Sequence, residues 1–300
     1  MSEVTGQDHP RVGIVGLGRM GAGIARNLER AGMLTGAHDI SEAALRAAGL
    51  GPAVRLLPAP ELLDSCGVVL FAVPTTRQIG EALADADPPA GRVIVDLTTS
   101  APAQSRALAA RLAKSGVHYV DAAMTGGAAG ADAGTLTLMA GGEAEAIAVC
   151  RPVFAAIAAR VFHLGPVGSG HAMKLVHNLI LHSHFLAVCE GLGLAERAGL
   201  DVNRAVEVLN AGNARSFVTE TRFPRDILGG RMNARSTIAN LAKDLALATE
   251  FGEELGAPLP YARLTSGLLE GAVAAGRAGT DFAWLYPLFA DLVRNMETPE

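Results

Sequence analysis

Three hundred residues are material for about two domains at roughly 150 residues each. Half of the chain is apolar and 18% is charged, against about a quarter charged in an ordinary soluble domain, which excludes a disordered chain and leaves apolar surface for a second subunit. A net charge of −5 without a basic stretch argues against a nucleic-acid partner, and Cys66, Cys150 and Cys189 are too widely spaced for a disulfide framework or zinc cluster, so they read as buried free thiols of a reducing cytoplasm.

The opening MSEVTGQDHP has neither the cationic start nor the apolar run of an export signal. Residues 12–15 then form an apolar strand, and residues 20–31 a helix with Ile24, Ala25 and Leu28 on its apolar face. Further apolar runs follow at 67–73, stopped by Pro74, at 93–96, ended by Thr98 and Thr99, and at 117–121 and 135–140. Continuous apolar strands separated by helices imply a parallel sheet covered on both faces, the doubly wound α/β architecture.

After residue 165, where Gly165, Pro166, Gly168 and Gly170 cluster, the pattern turns helical. The spacing predicts helices over 170–198, 202–210, 234–255 and 260–275, so the expected domains are 1–165 and 166–300, joined through a long interdomain helix. The longest apolar tract, 175–194, is interrupted by His177, Asn178, His182, His184 and Glu190, and reads as a buried helix rather than a membrane span. Its histidines lack metal-ligand spacing, and no metal is expected.

Gly16-Leu17-Gly18-Arg19-Met20-Gly21 joins the first strand to the first helix. In that setting Gly16 makes the tight turn, Gly18 admits a pyrophosphate to the backbone, and Gly21 lets helix and strand pack closely. The helix N-terminus offers the phosphates N–H groups and partial positive charge. An acid is expected roughly 20 residues further on, and Asp39 stands there with no arginine after it. Its carboxylate would accept from ribose hydroxyls and repel a 2′-phosphate, favouring NAD, with NADP the alternative; as a bare residue it also reads as a turn or N-cap acid.

Only three of the 25 cationic side chains are lysines: Lys114, Lys174 and Lys243. Arginine cannot give up its proton in a protein, so a lysine kept in such a chain is a candidate for proton transfer. Lys174 and Asn178, at i and i+4, present an ammonium and an amide on one helical face. Ala172, Met173, Leu175 and Val176 would partly desolvate that ammonium, the condition under which a lysine becomes a useful acid/base. Upstream, a strand runs through Asp121 into Thr125-Gly126-Gly127, a hydroxyl and exposed backbone N–H groups suited to a carboxylate.

With GLGRMG at 16–21, DLTTSAP at 96–102, DAAMTGGAAGADAGTLTLMAGG at 121–142, GSGHAMKLVHN at 168–178 and Lys243-Asp244 in order, the chain resembles the β-hydroxyacid dehydrogenase family, in its 3-hydroxyisobutyrate dehydrogenase-like branch, over about residues 11–290. The resemblance implies a Rossmann-type domain followed by an all-helical substrate and dimerisation domain. It implies reversible oxidation of a hydroxyl β to a carboxylate, giving a semialdehyde or 3-keto acid. Lys174 would be the general acid/base, Asn178 would orient the substrate, and Thr125, Gly126 and Gly127 would bind its carboxylate. Val73, Pro74 and Thr99 would line the nicotinamide cofactor, and Lys243 would close over it. Thr125 stands where the family usually has serine, Met124 where it has valine, and Ala123 where it has proline, departures that bear on the substrate; Met124, Phe217 and Trp284 are candidates for shaping its pocket. The rival activities are an imine reductase, which resemblance gives another residue at the lysine position, and a non-catalytic cofactor-binding sensor. A cytoplasmic homodimer or homotetramer, acting on a small hydroxy acid and not on a membrane, is the expected assembly.

Overall fold

The structure, a computed structural model, describes residues 10–84 and 86–297. Residues 1–9, on which the reading of no export signal rests, lie outside them. The chain forms two compact units that divide between Lys174 and Leu175, nine residues past the expected 165.

In chain order the first unit runs β1 (Val12–Val15), α1 (Gly21–Arg30), β2 (Leu34–His38), α2 (Glu42–Ala47), β3 (Arg55–Leu56), α3 (Ala59–Ser65), β4 (Val68–Phe71) and α4 (Thr76–Ala82). It continues through β5 (Val93–Asp96), α5 (Pro102–Ala113), β6 (His118–Thr125), α6 (Gly127–Ala133), β7 (Leu136–Gly141), α7 (Ala144–Ile157) and β8 (Ala158–His163). The strands form one sheet in the order β3-β2-β1-β4-β5-β6-β7-β8. Successive side chains of a strand point to opposite faces, and here both faces are apolar. Ile14, Leu70 and Val95 join the layer of Ile24, Leu28 and Phe154. Val15, Phe71 and Ile94 join the layer of Leu62, Leu63 and Ile79 on the other side.

The sheet departs from the expected parallel arrangement at β7, which pairs antiparallel to β6 and carries β8 with it in the reversed direction. The cause is local: residues 126–135 hold only the short α6, and a parallel crossover needs a dozen or more residues. Cys66, Cys150 and Cys189 are free and buried, and burial pushes the Cys150 thiol up to about 12.

A long helix, α8 (Ser169–Arg197), starts in the first unit and runs on into the second. The second unit then adds α9 (Val202–Ala211), a π-helical segment Val218–Leu228, α10 (Ile238–Glu254), α11 (Pro260–Ala272) and α12 (Leu285–Glu297). Its core gathers Phe185 against Phe223 and Phe282, with ring centroids 6.1 and 5.0 Å apart, and Phe223 edge-on to Tyr286 at 5.0 Å. Helix α10 starts at Ile238 rather than 234, because the Asp281 carboxylate accepts from the N–H groups of Ala234 (2.9 Å) and Ser236 (3.3 Å) and holds that segment extended.

Among the described residues α8 is the one helix long and apolar enough to cross a membrane by length and composition. It is buried along one stripe, Leu175, Asn178, His182, Phe185, Cys189 and Leu192, whereas Met173, Val176 and Ile180 stand exposed. The expected buried helix is therefore buried along one face.

Candidate active site

The carboxyl ends of β1, β2, β4, β5 and β6 bring Gly16–Gly21, Asp39, Val73–Pro74, Thr99 and Thr125–Gly127 to one edge of the sheet, where open α/β sheets bind their ligands. Gly16 has φ +95, and a Cβ on it would lie 2.6 Å from the Ala72 carbonyl oxygen. On Gly21 a Cβ would meet the Gly16 carbonyl oxygen at 1.9 Å. On Gly18 it would meet nothing within 4 Å. Two of the glycines are thus needed by the fold, and the third leaves open space over an exposed backbone. No side chain caps the N-terminus of α1 and no acid stands in its first turn. A dinucleotide pyrophosphate fits this arrangement in both charge and space.

Asp39 is already at work in the loop. Its Oδ2 accepts from the Leu17 N–H at 2.7 Å and its Oδ1 from the Ser41 N–H at 2.8 Å. The turn-residue role is therefore present, and the carboxylate, held at the end of β2, keeps lone pairs for a ribose. The Leu17 side chain is in the core, Gly18 and Arg19 are exposed, and Met20 is half-buried, so of the predicted cofactor loop Gly18 and Arg19 face outward. Val73 and Thr99 are half-buried and Pro74 exposed.

Behind the loops lies a buried polar cluster. Asp96 and Asp121 are register partners on β5 and β6, both with no exposed surface. Two neighbouring buried carboxylates need compensation. Asp96 Oδ2 accepts from the Thr76 hydroxyl and the Tyr119 hydroxyl, each at 2.6 Å, and Oδ1 from the Thr98 N–H at 2.8 Å. Asp121 accepts from the N–H groups of Gly168 (2.7 Å) and His171 (2.8 Å). The His171 ring, itself fully buried, places Nδ1 2.6 Å from Ser105 Oγ and Nε2 3.7 Å from Asp96 Oδ1. Burial pushes the Asp121 carboxyl up, against the pull of His171 and the two N–H groups, and burial beside Asp96 drives Tyr119 well above its ordinary value.

Lys174 follows His171 by one helical step on α8 and is half-buried. Of the neighbours expected to desolvate it, Leu175 is buried but Met173 and Val176 point to the exposed side. Thr125 ends β6 half-buried, and Gly126 and Gly127 follow with φ +122 and +62, an exposed positive-φ pair at the start of α6.

In the helical unit Asn178 is 3% exposed; its Nδ2 donates to Asp244 Oδ2 at 2.7 Å and its Oδ1 lies 3.0 Å from His177 Nδ1. Asp244 also pairs with the Lys243 ammonium at 3.1 Å, and His182 Nε2 is 3.8 Å from its Oδ2. Phe217 and Trp284 are both exposed, Phe217 lying under the Arg222 guanidinium at 5.5 Å. Asp96, Asp121 and Asp244 lie inside the sequence motifs, which by themselves give them no role. The signal for the first two was a carboxylate on a strand whose other residues are apolar.

The N-terminal part of the chain, residues 11–165, matches the model described as the NAD-binding domain of 6-phosphogluconate dehydrogenase. Residues 168–289 match the model described as NAD-binding of NADP-dependent 3-hydroxyisobutyrate dehydrogenase. L-threonate dehydrogenase of Cupriavidus necator is 32% identical over 284 residues, covering 93% of this chain and 95% of the relative. 2-(Hydroxymethyl)glutarate dehydrogenase of Eubacterium barkeri is 30% identical over 280 residues, covering 91% and 92%. The solved 3-hydroxyisobutyrate dehydrogenase of Mycobacterium tuberculosis with L-serine superposes with a TM-score of 0.85 at 27% identity, over 94% of this chain and 99% of that one.

Proposed function

This chain belongs to the β-hydroxyacid dehydrogenase family, as an NAD(P)-dependent 3-hydroxyacid dehydrogenase, and on that footing we propose that it oxidises a short hydroxy acid of the 3-hydroxyisobutyrate kind, with Lys174 as general acid/base and NAD as the preferred acceptor. The observation that carries this reading is the joining of Lys174 and Thr125–Gly127 within one unit: the helix start that bears the lysine is bonded to β6, the strand that bears the loop.

The substrate carboxylate is held by the Thr125 hydroxyl and the N–H groups of Gly126 and Gly127. Lys174 takes the hydroxyl proton during oxidation and returns it during reduction. The nicotinamide cofactor, when bound, supplies the two-electron acceptor for the hydride of the carbinol carbon. Gly16, Gly18 and Gly21, with Leu17, Arg19 and Met20 between them, shape the pyrophosphate loop. Val73, Pro74 and Thr99 line the cofactor from the neighbouring strand ends. Buried free thiols suit a cytoplasmic protein, and the exposed Met173, Val176 and Ile180 suit a homo-oligomer.

Absorbance of the reduced cofactor, followed across a panel of short 3-hydroxy acids with NAD and NADP in parallel, tests the reading. We expect turnover on at least one acid, with kcat/KM for NAD at least about tenfold above NADP. That ratio should collapse in Asp39→Ala, which removes the charge facing a 2′-phosphate. Preference for NADP in the parent protein would overturn the Asp39 role and leave Lys174 standing. Silence across the panel with cofactor still bound would overturn the substrate class.

A further inference from the structure

A long helix usually takes its N-terminal cap from a residue just before it. Helix α8 takes one from another element: the N–H of Gly168, immediately before the helix, and that of His171, in its first turn, both donate to Asp121, on β6, at 2.7 and 2.8 Å. The fit is closed by glycines. A Cβ on Gly170 would lie 2.3 Å from the Met139 carbonyl oxygen and 2.8 Å from that of Asp121. A Cβ on Gly141 would lie 2.7 Å from Asp121 Oδ1 and 2.9 Å from the Ser169 nitrogen. The ring of His171, sealed between Ser105 and Asp96, holds the same turn a second time.

We propose that Asp121 is a positioning residue, whose buried carboxylate pins the first turn of α8 to β6 and thereby sets where Lys174 stands with respect to Thr125–Gly127. The inference rests on the acid/base reading of Lys174 given above. Asp121 and Thr125 lie four residues apart on one strand and so on the same face of the sheet. Lys174 comes one helical step after His171. A lysine has four rotatable stem bonds, so its reach is useful only when its backbone is fixed. Two charge-assisted bonds to helix-terminal N–H groups, aligned with the helix dipole, fix it strongly. A displacement of about 1 Å in such a site can cost on the order of 10²-fold in rate.

Asp121→Asn keeps the volume of the side chain and replaces one acceptor oxygen by a donor that faces an N–H. With NAD and the most active acid of the panel, turnover per NADH-binding site should fall about tenfold or more, while KM and the NADH dissociation constant stay within about twofold. A merely structural role would lower the number of binding sites and leave turnover per site unchanged, and that result would overturn the proposal. The loss should also vanish in a Lys174→Ala background, because a residue acting through Lys174 has nothing left to act on; a full additional loss there would overturn it as well. If Asp121→Asn does not fold, amide exchange in the parent protein decides: strong protection of the Gly168 and His171 amides is expected, and rapid exchange at either rejects the cap. Full turnover by Lys174→Ala alone would instead sink the acid/base reading, and the cap's purpose with it. Full turnover per site by Asp121→Asn beside an inactive Lys174→Ala would sink the positioning role only.

Discussion

Lys174→Ala is expected to lose at least about 10²-fold in turnover, the lower range for a general acid/base. The side chain is half-buried on a helix exterior, so its removal should change stability by no more than about 0.5–1 kcal/mol. NADH affinity, read by fluorescence, should hardly move. Lys174→Arg separates the two things a lysine does. Arginine keeps the positive charge but cannot give up its proton, so a charge-only role would survive the exchange and an acid/base role would not. We expect Lys174→Arg to be nearly as inactive as Lys174→Ala. Near-normal turnover in Lys174→Ala would remove the residue from the mechanism.

Gly18→Ala and Gly21→Ala should part company, though they stand three residues apart. At Gly21 an added methyl would press on the Gly16 carbonyl oxygen at 1.9 Å and on the Ala72 Cβ at 3.2 Å. Helix α1 must then shift, at a cost of about 1–3 kcal/mol or more, which a melting curve reads as a drop of several degrees. At Gly18 the methyl meets no protein atom within 4 Å, and the fold should not notice it. It occupies the space through which a pyrophosphate approaches the backbone, so the NADH dissociation constant should rise at least about tenfold with the melting temperature unchanged. Parent-like NADH binding by Gly18→Ala would place the phosphates elsewhere.

The legible parts of this chain are those whose causes are local. Strands β1, β4 and β5 read correctly because both sheet faces are covered, which makes each a short unbroken apolar run. The glycine loop reads because its demands are met within six residues. Strand β8 is not legible as a strand because it lies at the sheet edge, exposed from Ala159 to His163. The segment Val218–Leu228 carries Pro224 and winds as a π-helix, so its apolar residues do not keep the 3.6 period. Helix α12 is hard to read from sequence because it carries Pro287, yet in a first turn proline gives up no bond. The role of Asp121 depends on donors 47 and 50 residues away, a pairing that only the folded chain makes.

That pairing has a consequence for anyone recombining this protein with its relatives. The glycine-rich stretch near residue 165 looks like the natural splice point, and a chimaera joined there keeps all eight strands of the sheet. It would nonetheless take its Gly168 and His171 amides from the foreign half, leaving a buried carboxylate to accept whatever that half presents. An acceptor stranded in this way costs about 1–3 kcal/mol, more when charged. A crossover placed after Lys174 carries the carboxylate, its two donors and the lysine together as one inherited piece.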